Sequence, residues 1–219
     1  MTKEKIDKRT IAITGTTGSG KSALGEIAAL KGAFIVDADN IAQVLQMDGA
    51  PGAVRIKAVF GGGYYKDGFL DRRALSREVF SNPDSLKKLN DIMHPLIYEA
   101  MVRMIDIAQK ELGYKFICVL IPLLFEAGGK WLELFDEVWL VTAPENLCLK
   151  RIMERDKLTE AAAGARIAAQ MPLAEKLETA QKLNIPVKIA ENDGDMTKLR
   201  KQAEKLLEPY KEILWEQMK

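Results

Sequence analysis

Residues 10–14, Thr-Ile-Ala-Ile-Thr, are a short β-branched apolar run that passes directly into Gly15-Thr-Thr-Gly-Ser-Gly-Lys-Ser22. Nothing else in the chain restricts its fold as much. Such a run suits a buried strand of a parallel sheet. After Lys21, Leu24, Ile27 and Ala28 recur at helical spacing until Gly32, and a second apolar run, residues 33–36, follows. The opening unit therefore reads as strand, glycine loop, helix, strand.

Two nucleotide motifs overlap in this loop. Counted from Gly15 the letters are G-x-x-x-x-G-K-S, a phosphate-binding P-loop; counted from Gly18 they are G-x-G-x-x-A, a dinucleotide fingerprint ending at Ala23. The fingerprint needs its first glycine at the tight turn leaving the strand, but here Gly15, Thr16 and Thr17 intervene. A P-loop needs that extra width to wrap a phosphate in backbone N–H groups. Lys21 would place its ammonium on the β and γ phosphates and Ser22 its hydroxyl on magnesium, roles a dinucleotide fingerprint does not use. Asp37, at about the spacing of a ribose-binding acid, is the one feature favouring the fingerprint. The P-loop reading makes Gly15, Gly18, Ser19, Gly20, Lys21, Ser22 and Ala23 the ATP-binding candidates.

Composition narrows the class further. With 219 residues, 47% of them hydrophobic and 29% charged, the chain has enough material for one compact core and an inserted subdomain. Thirty-two basic residues against thirty-one acidic ones leave no net field for a polyanion, so nucleic acid is not an expected partner. No run approaches the eighteen apolar residues of a membrane span, and the first residues lack the apolar stretch of a signal peptide, so a cytoplasmic location without membrane attachment is expected. Cys118 and Cys148 read as two reduced thiols rather than a disulfide or a zinc cluster.

Beyond the second strand the pattern turns helical from residue 40 to 113, interrupted by Gly61-Gly-Gly63. Ile41, Val44 and Leu45 would line one helix face. Asn82-Pro83 reads as a helix start, and His94-Pro95 repeats the device. Strands resume at 116–121 and 137–141, with a weaker candidate at 186–190; residues 145–171 read as two helices broken near 157–159, and an amphipathic helix runs from Met196. The alternation predicts an α/β doubly wound parallel sheet of about five strands, of P-loop NTPase type. Residues 1–39, 114–149 and 172–219 would form the nucleotide-binding core, 40–113 a helical acceptor-binding insertion and 150–171 a small helical lid.

A P-loop does not by itself choose among motor, switch and small-molecule kinase. The base-reading N-K-x-D of GTPases is missing, and the 116–121 run ends without the metal-binding Asp of motors and switches. The acids instead follow the second strand, in Asp37-Ala-Asp39. Asp39 then reads either as a helix cap or as a general base for a phosphate acceptor.

Several segments together resemble the dephospho-CoA kinase family: ITGTTGSGKS, VDADNIAQVL, DGFLDRRALSREVF, MHPLI, IPLLFE, RIMERDKLTEAAAGARIAAQ and ENDG, in that family's order. The resemblance runs nearly end to end. It implies ATP-dependent phosphorylation of the ribose 3′-hydroxyl of dephospho-CoA, with Mg²⁺ and with ATP and dephospho-CoA as partners. By the same resemblance Asp39 is the base, Asp37 orients the metal, and Arg72 and His94 lie on acceptor-binding motifs, His94 reading equally as a helix cap. Lys21 and the lid's Arg155 complete the catalytic set, since a transferring phosphoryl group needs cations; Arg151, four residues before Arg155, joins the ATP site, and Asn192 is placed near adenine. Departures are Gly15-Thr16 and Ser22-Ala23 in the loop, and Ile185-Pro-Val-Lys188 where an Ala-Asp pair is usual. A monomer or weak homo-oligomer is expected. Another P-loop small-molecule or nucleotide kinase, and a non-catalytic nucleotide-dependent switch, are the alternatives.

Overall fold

The computed structural model describes residues 8–218. Strand β1 (Arg9–Gly15) feeds the glycine loop and helix α1 (Lys21–Leu30), which stops where Gly32 adopts φ 99°; β2 (Phe34–Asp37) follows. The chain then enters α2 (Ala38–Leu45) and α3 (Pro51–Phe60). Next come a two-stranded antiparallel hairpin, β3 (Tyr65–Lys66) with β4 (Phe69–Leu70), and then α4 (Arg72–Ser81) and the long α5 (Pro83–Lys110). After α5 come β5 (Phe116–Leu120), α6 (Leu124–Ala127), β6 (Glu137–Thr142), α7 (Glu145–Asp156), α8 (Glu160–Ala168) and α9 (Leu173–Lys182). The chain closes with β7 (Val187–Glu191), α10 (Met196–Leu207) and α11 (Lys211–Gln217).

Five strands form one sheet in the order β2-β5-β1-β6-β7. β1 pairs in parallel with β5 and β6, and β6 with β7. Every residue of β5 is buried, as a strand covered on both faces requires. Leu24, Ile27 and Ala28 of α1 and Leu199, Ala203 and Leu206 of α10 join Ile11, Ile13, Phe116 and Trp139 in one apolar core.

The chain divides into two compact units. One contains residues up to Val36 together with those from Ile107 onward; the other runs from Asp37 to Asp106. The second unit has its own core of Ile56, Leu75, Val79 and Met93. Its limits differ from the expected 40 and 113 because the last turn of α5 packs with the sheet unit, where Ala108 is fully buried.

Three local expectations are corrected. Helix α5 runs through His94-Pro95 without a second start. Proline removes one helical hydrogen bond, but Met93 and Leu96, 4% and 8% exposed, hold the flanking turns onto buried contacts. His94 is therefore a mid-helix residue and not a cap. The helical stretch also contains the β3–β4 hairpin, turned by Asp67-Gly68, both at positive φ. Val44 does not share the buried face of Ile41 and is 61% exposed. The other expected helix start is as read: Asn82 Oδ1 accepts from the N–H groups of Asp84 and Ser85.

Candidate active site

β1 lies at the middle of the sheet, and its carboxyl end lies where successive connections leave toward opposite edges, the place where open α/β sheets bind ligands. The loop from Gly15 to Gly20 starts there. Gly15 is at φ 148°, and a Cβ on it would collide with the Val141 carbonyl; a Cβ on Gly18, at φ 82°, would stand 2.8 Å from the Cys148 carbonyl. The Ser19 N–H donates to the Thr16 carbonyl at 3.0 Å, closing the loop. No side chain caps α1, whose N-cap is Gly20 in the left-handed conformation. Its first-turn N–H groups and the helix dipole therefore face whatever the loop holds, which favours an anion.

The loop's shape is set by Lys21 at its own end and by residues distant in sequence. Lys21 Nζ donates to the Gly15 and Thr16 carbonyls at 2.9 and 3.1 Å. Arg151 Nη1 donates to the Gly18 and Ser19 carbonyls at 3.0 and 3.3 Å. Asn192, only 2% exposed, donates from Nδ2 to the Ser19 carbonyl at 2.7 Å, and its Oδ1 accepts from Arg151 Nη2 and the Gly194 N–H. The amide expected near adenine is thus engaged with the loop. Gly20 leaves room for it, since a Cβ there would collide with Nδ2. Ser19 Oγ is buried and has no hydrogen-bond partner among the described residues.

Helices α7 and α8 form the hairpin expected as the lid, joined at Lys157, which takes φ 54°, and started again by Thr159, whose hydroxyl accepts from the Ala162 N–H. Arg155 makes two bonds to the Asp156 carboxylate, at 2.7 and 2.9 Å, and Arg166 donates to the same carboxylate. The guanidinium of Arg155, and then that of Arg166, holds this carboxyl below its ordinary range. Arg155 and Arg151 line a cleft of about 450 Å³ with Gly18, Gly20 and Glu154, a size that suits a nucleotide-sized ligand.

The remaining candidates lie in the second unit. Asp37 is the N-cap of α2, its Oδ1 accepting from the N–H groups of Asp39 and Asn40 at 2.8 and 3.2 Å. Capping is therefore done by Asp37, and Asp39 is exposed one residue inside the helix. Arg72 is the exposed first residue of α4, behind the Asp71 cap, whose side chain accepts from the Ala74 N–H. His94 is half-buried, and burial pushes its imidazole down, partly opposed by Asp91.

Comparison with known proteins decides which kinase this is. The family model described as dephospho-CoA kinase matches residues 9–196. The chain belongs to that family. The dephospho-CoA kinase of Carboxydothermus hydrogenoformans is 37% identical over 209 residues, covering 94% of this chain and 96% of its own. That of Shouchella clausii is 38% identical over 167 residues, 76% of this chain and 83% of its own. The solved dephospho-CoA kinase of Campylobacter jejuni superposes with a TM-score of 0.67 at 31% identity, covering 94% and 98% of the two chains. The family is one of phosphotransferases with an alcohol acceptor, and this chain is an enzyme of that class.

Sequence reasoning passed over three residues beside the candidate site of this dephospho-CoA kinase family member. Glu154 lines the cleft, Arg166 shares the carboxylate of Asp156, and Gln170 Oε1 accepts from the Thr17 N–H at 2.8 Å. All three stand inside one quoted segment, residues 151–170, but helical spacing alone does not separate a residue facing the loop from one facing solvent.

Proposed function

We propose that this chain transfers the γ-phosphoryl group of ATP to the 3′-hydroxyl of the dephospho-CoA ribose. The observation that carries the proposal is a phosphate loop on the central strand, held by Arg151 beside the cleft with Arg155, in a chain of this family. The loop's N–H groups and Lys21 take the ATP phosphates; Lys21 exchanges its carbonyl partners for phosphate oxygens. Gly15, Gly18 and Gly20 keep the backbone close enough for that contact, and Ser19, Ser22 and Ala23 complete the cradle. Arg155 leaves the Asp156 carboxylate for the phosphoryl group as charge spreads in the transition state.

The donor chemistry suits Mg²⁺. Ser22 carries an exposed hydroxyl in the first turn of α1, a hard oxygen ligand of the kind magnesium uses when the substrate's phosphates and waters supply the rest. Asp37 has one oxygen engaged in capping and a second available to orient the ion's waters. When bound, the ion neutralises charge developing on the bridging and terminal phosphate oxygens.

In the 37–106 unit, Asp39 accepts the proton of the ribose hydroxyl. Its support is that Asp37 supplies the side-chain cap of α2, so Asp39, exposed in the first turn, is not the cap. Arg72 and Arg73 open α4 at the end where the helix dipole disfavours cations, so an anionic substrate group is what they serve; with His94 they form the acceptor side. No helix among the described residues is long and apolar enough to cross a membrane, and we place this enzyme in the cytoplasm as a monomer or weak homo-oligomer.

Phosphoryl transfer from Mg·ATP should be assayed with dephospho-CoA, AMP and shikimate in parallel. Transfer to dephospho-CoA alone is expected. Transfer only to AMP would sink the assignment, and nucleotide-dependent partner binding without transfer would favour the switch reading.

A further inference from the structure

The second root of the lid reaches the phosphate loop as directly as the first. Gln170 follows α8, and its Oε1 accepts from the Thr17 N–H at 2.8 Å across 153 residues of sequence. The next peptide is fixed in turn: the Met171 N–H donates to Glu126 Oε1 at 2.9 Å. That oxygen lies 3.2 Å from Lys176 Nζ, a lysine only 2% exposed. Glu126 stands on α6, just past the end of β5. The link between Gln170 and the loop is therefore flanked by an ion pair anchored beside the sheet, its lysine buried and its glutamate half-buried.

From α7, Arg151 grips the same stretch of loop through the opposite chemistry, donating to the carbonyls of Gly18 and Ser19. The two ends of the lid hairpin thus meet consecutive loop residues, one with an acceptor for an N–H and the other with a donor for carbonyls. A peptide plane cannot turn without exchanging the directions of its N–H and C=O. Holding the Thr17 N–H fixes the plane of the Thr16–Thr17 peptide, and holding the Gly18 and Ser19 carbonyls fixes the planes that carry the Ser19 and Gly20 N–H groups on the way to Lys21.

From this we infer that Gln170 is a positioning residue for ATP: it sets the phosphate loop and ties the loop's shape to the lid. It acts through the Thr17 peptide, while the adjacent Glu126–Lys176 pair keeps it in place. The inference rests on the ATP-dependent reading of the loop but not on the identity of the acceptor.

The test uses the full chain with Gln170→Met, which keeps length and loses the acceptor, and Gln170→Glu, which keeps both reach and an accepting oxygen. Binding of a non-hydrolysable ATP analogue is titrated, KM is measured for ATP and for dephospho-CoA, and hydrogen exchange is followed at the Thr17 amide. For Gln170→Met, analogue affinity and KM for ATP should worsen about tenfold, the scale of one partly buried hydrogen bond. KM for dephospho-CoA should stay within about twofold and the thermal midpoint should be little changed, with the Thr17 amide losing protection that Gln170→Glu restores. Unchanged analogue affinity, or unchanged Thr17 protection in Gln170→Met, overturns the inference. So does a loss spread equally over both substrates with a lowered thermal midpoint, the mark of a merely structural role. If the unaltered enzyme binds the analogue but phosphorylates no dephospho-CoA, the acceptor assignment fails while this comparison still stands.

Discussion

Asn192 Nδ2 lies 2.7 Å from the Ser19 carbonyl, in the space that the missing side chain of Gly20 leaves open. The two residues are 173 positions apart, and their contact turns a flexible glycine loop into a fixed cradle. Asn192→Ala leaves Ser19 without that donor and Arg151 Nη2 without its amide partner. We expect a loss of about 1 kcal/mol in stability, the net scale of one hydrogen bond, since the Ser19 carbonyl keeps its bond from Arg151, with weaker ATP binding. Gly20→Ala should weaken ATP binding more than Asn192→Ala does, because it displaces Asn192 and also strains a residue at φ 102°. Denaturant unfolding and analogue titration of both variants check the order.

Asp37 and Asp39 should separate cleanly. Asp39→Asn should fold normally, bind ATP and lose roughly a hundredfold or more in turnover, the scale of general-base catalysis. Asp37→Ala should cost about 1 kcal/mol through loss of the α2 cap. Near-normal turnover in Asp39→Asn would reduce that residue to a surface position.

Arg155→Ala should lower kcat more than ATP affinity, because its cation is wanted chiefly once charge spreads in the transition state. Asp156→Asn should keep the hairpin but loosen the hold on Arg155 and Arg166. Single-turnover rates beside analogue affinities distinguish the effects. Equal losses in rate and affinity for Arg155→Ala would mean ordinary ground-state binding.

The Glu126–Lys176 pair invites an asymmetric result. Glu126→Ala leaves a buried ammonium without its counter-charge and the Met171 N–H without its acceptor, so a loss of about 3–5 kcal/mol is expected. Lys176→Met replaces the cation with an apolar side chain of similar length in an already buried place and should cost less. Equal losses from chemical denaturation would refute the asymmetry.

Acid should act first through His94. Burial holds its folded imidazole below the ordinary value of 6.5, so the unfolded chain binds the proton first and stability falls as pH drops from about 6.5 toward the folded value. Asp71 and Asp156 are held below 3.8; their contribution is present above that value and is lost only at lower pH, as it falls through their folded pKa. His94→Gln should flatten the stability profile just below the ordinary imidazole value of 6.5, measured by thermal unfolding as pH is lowered.

Much of this arrangement is legible in the letters. A β-branched run ending on glycines can be little else than a strand entering a tight loop, and Lys21-Ser22 at the head of a helix is a short-range pattern fixed by backbone geometry. The break between α7 and α8 and the Asn82 cap are also local, and they fold as read. His94-Pro95 reads locally as a helix start, yet α5 continues through it because buried Met93 and Leu96 outweigh one lost hydrogen bond.

The sequence by itself determined the phosphate loop, its strand and helix, and the helices α7 and α8, because each depends on residues within a few positions of one another. Only the tertiary structure decided what holds that loop: Arg151, Gln170 and Asn192 arrive from 132 to 173 residues away. Helical or strand spacing cannot announce such contacts. They exist because parallel pairing of β1 with β5 and β6, and of β6 with β7, brings the carboxyl ends of these strands side by side. There, side chains distant in sequence satisfy the polar groups that a glycine loop leaves exposed.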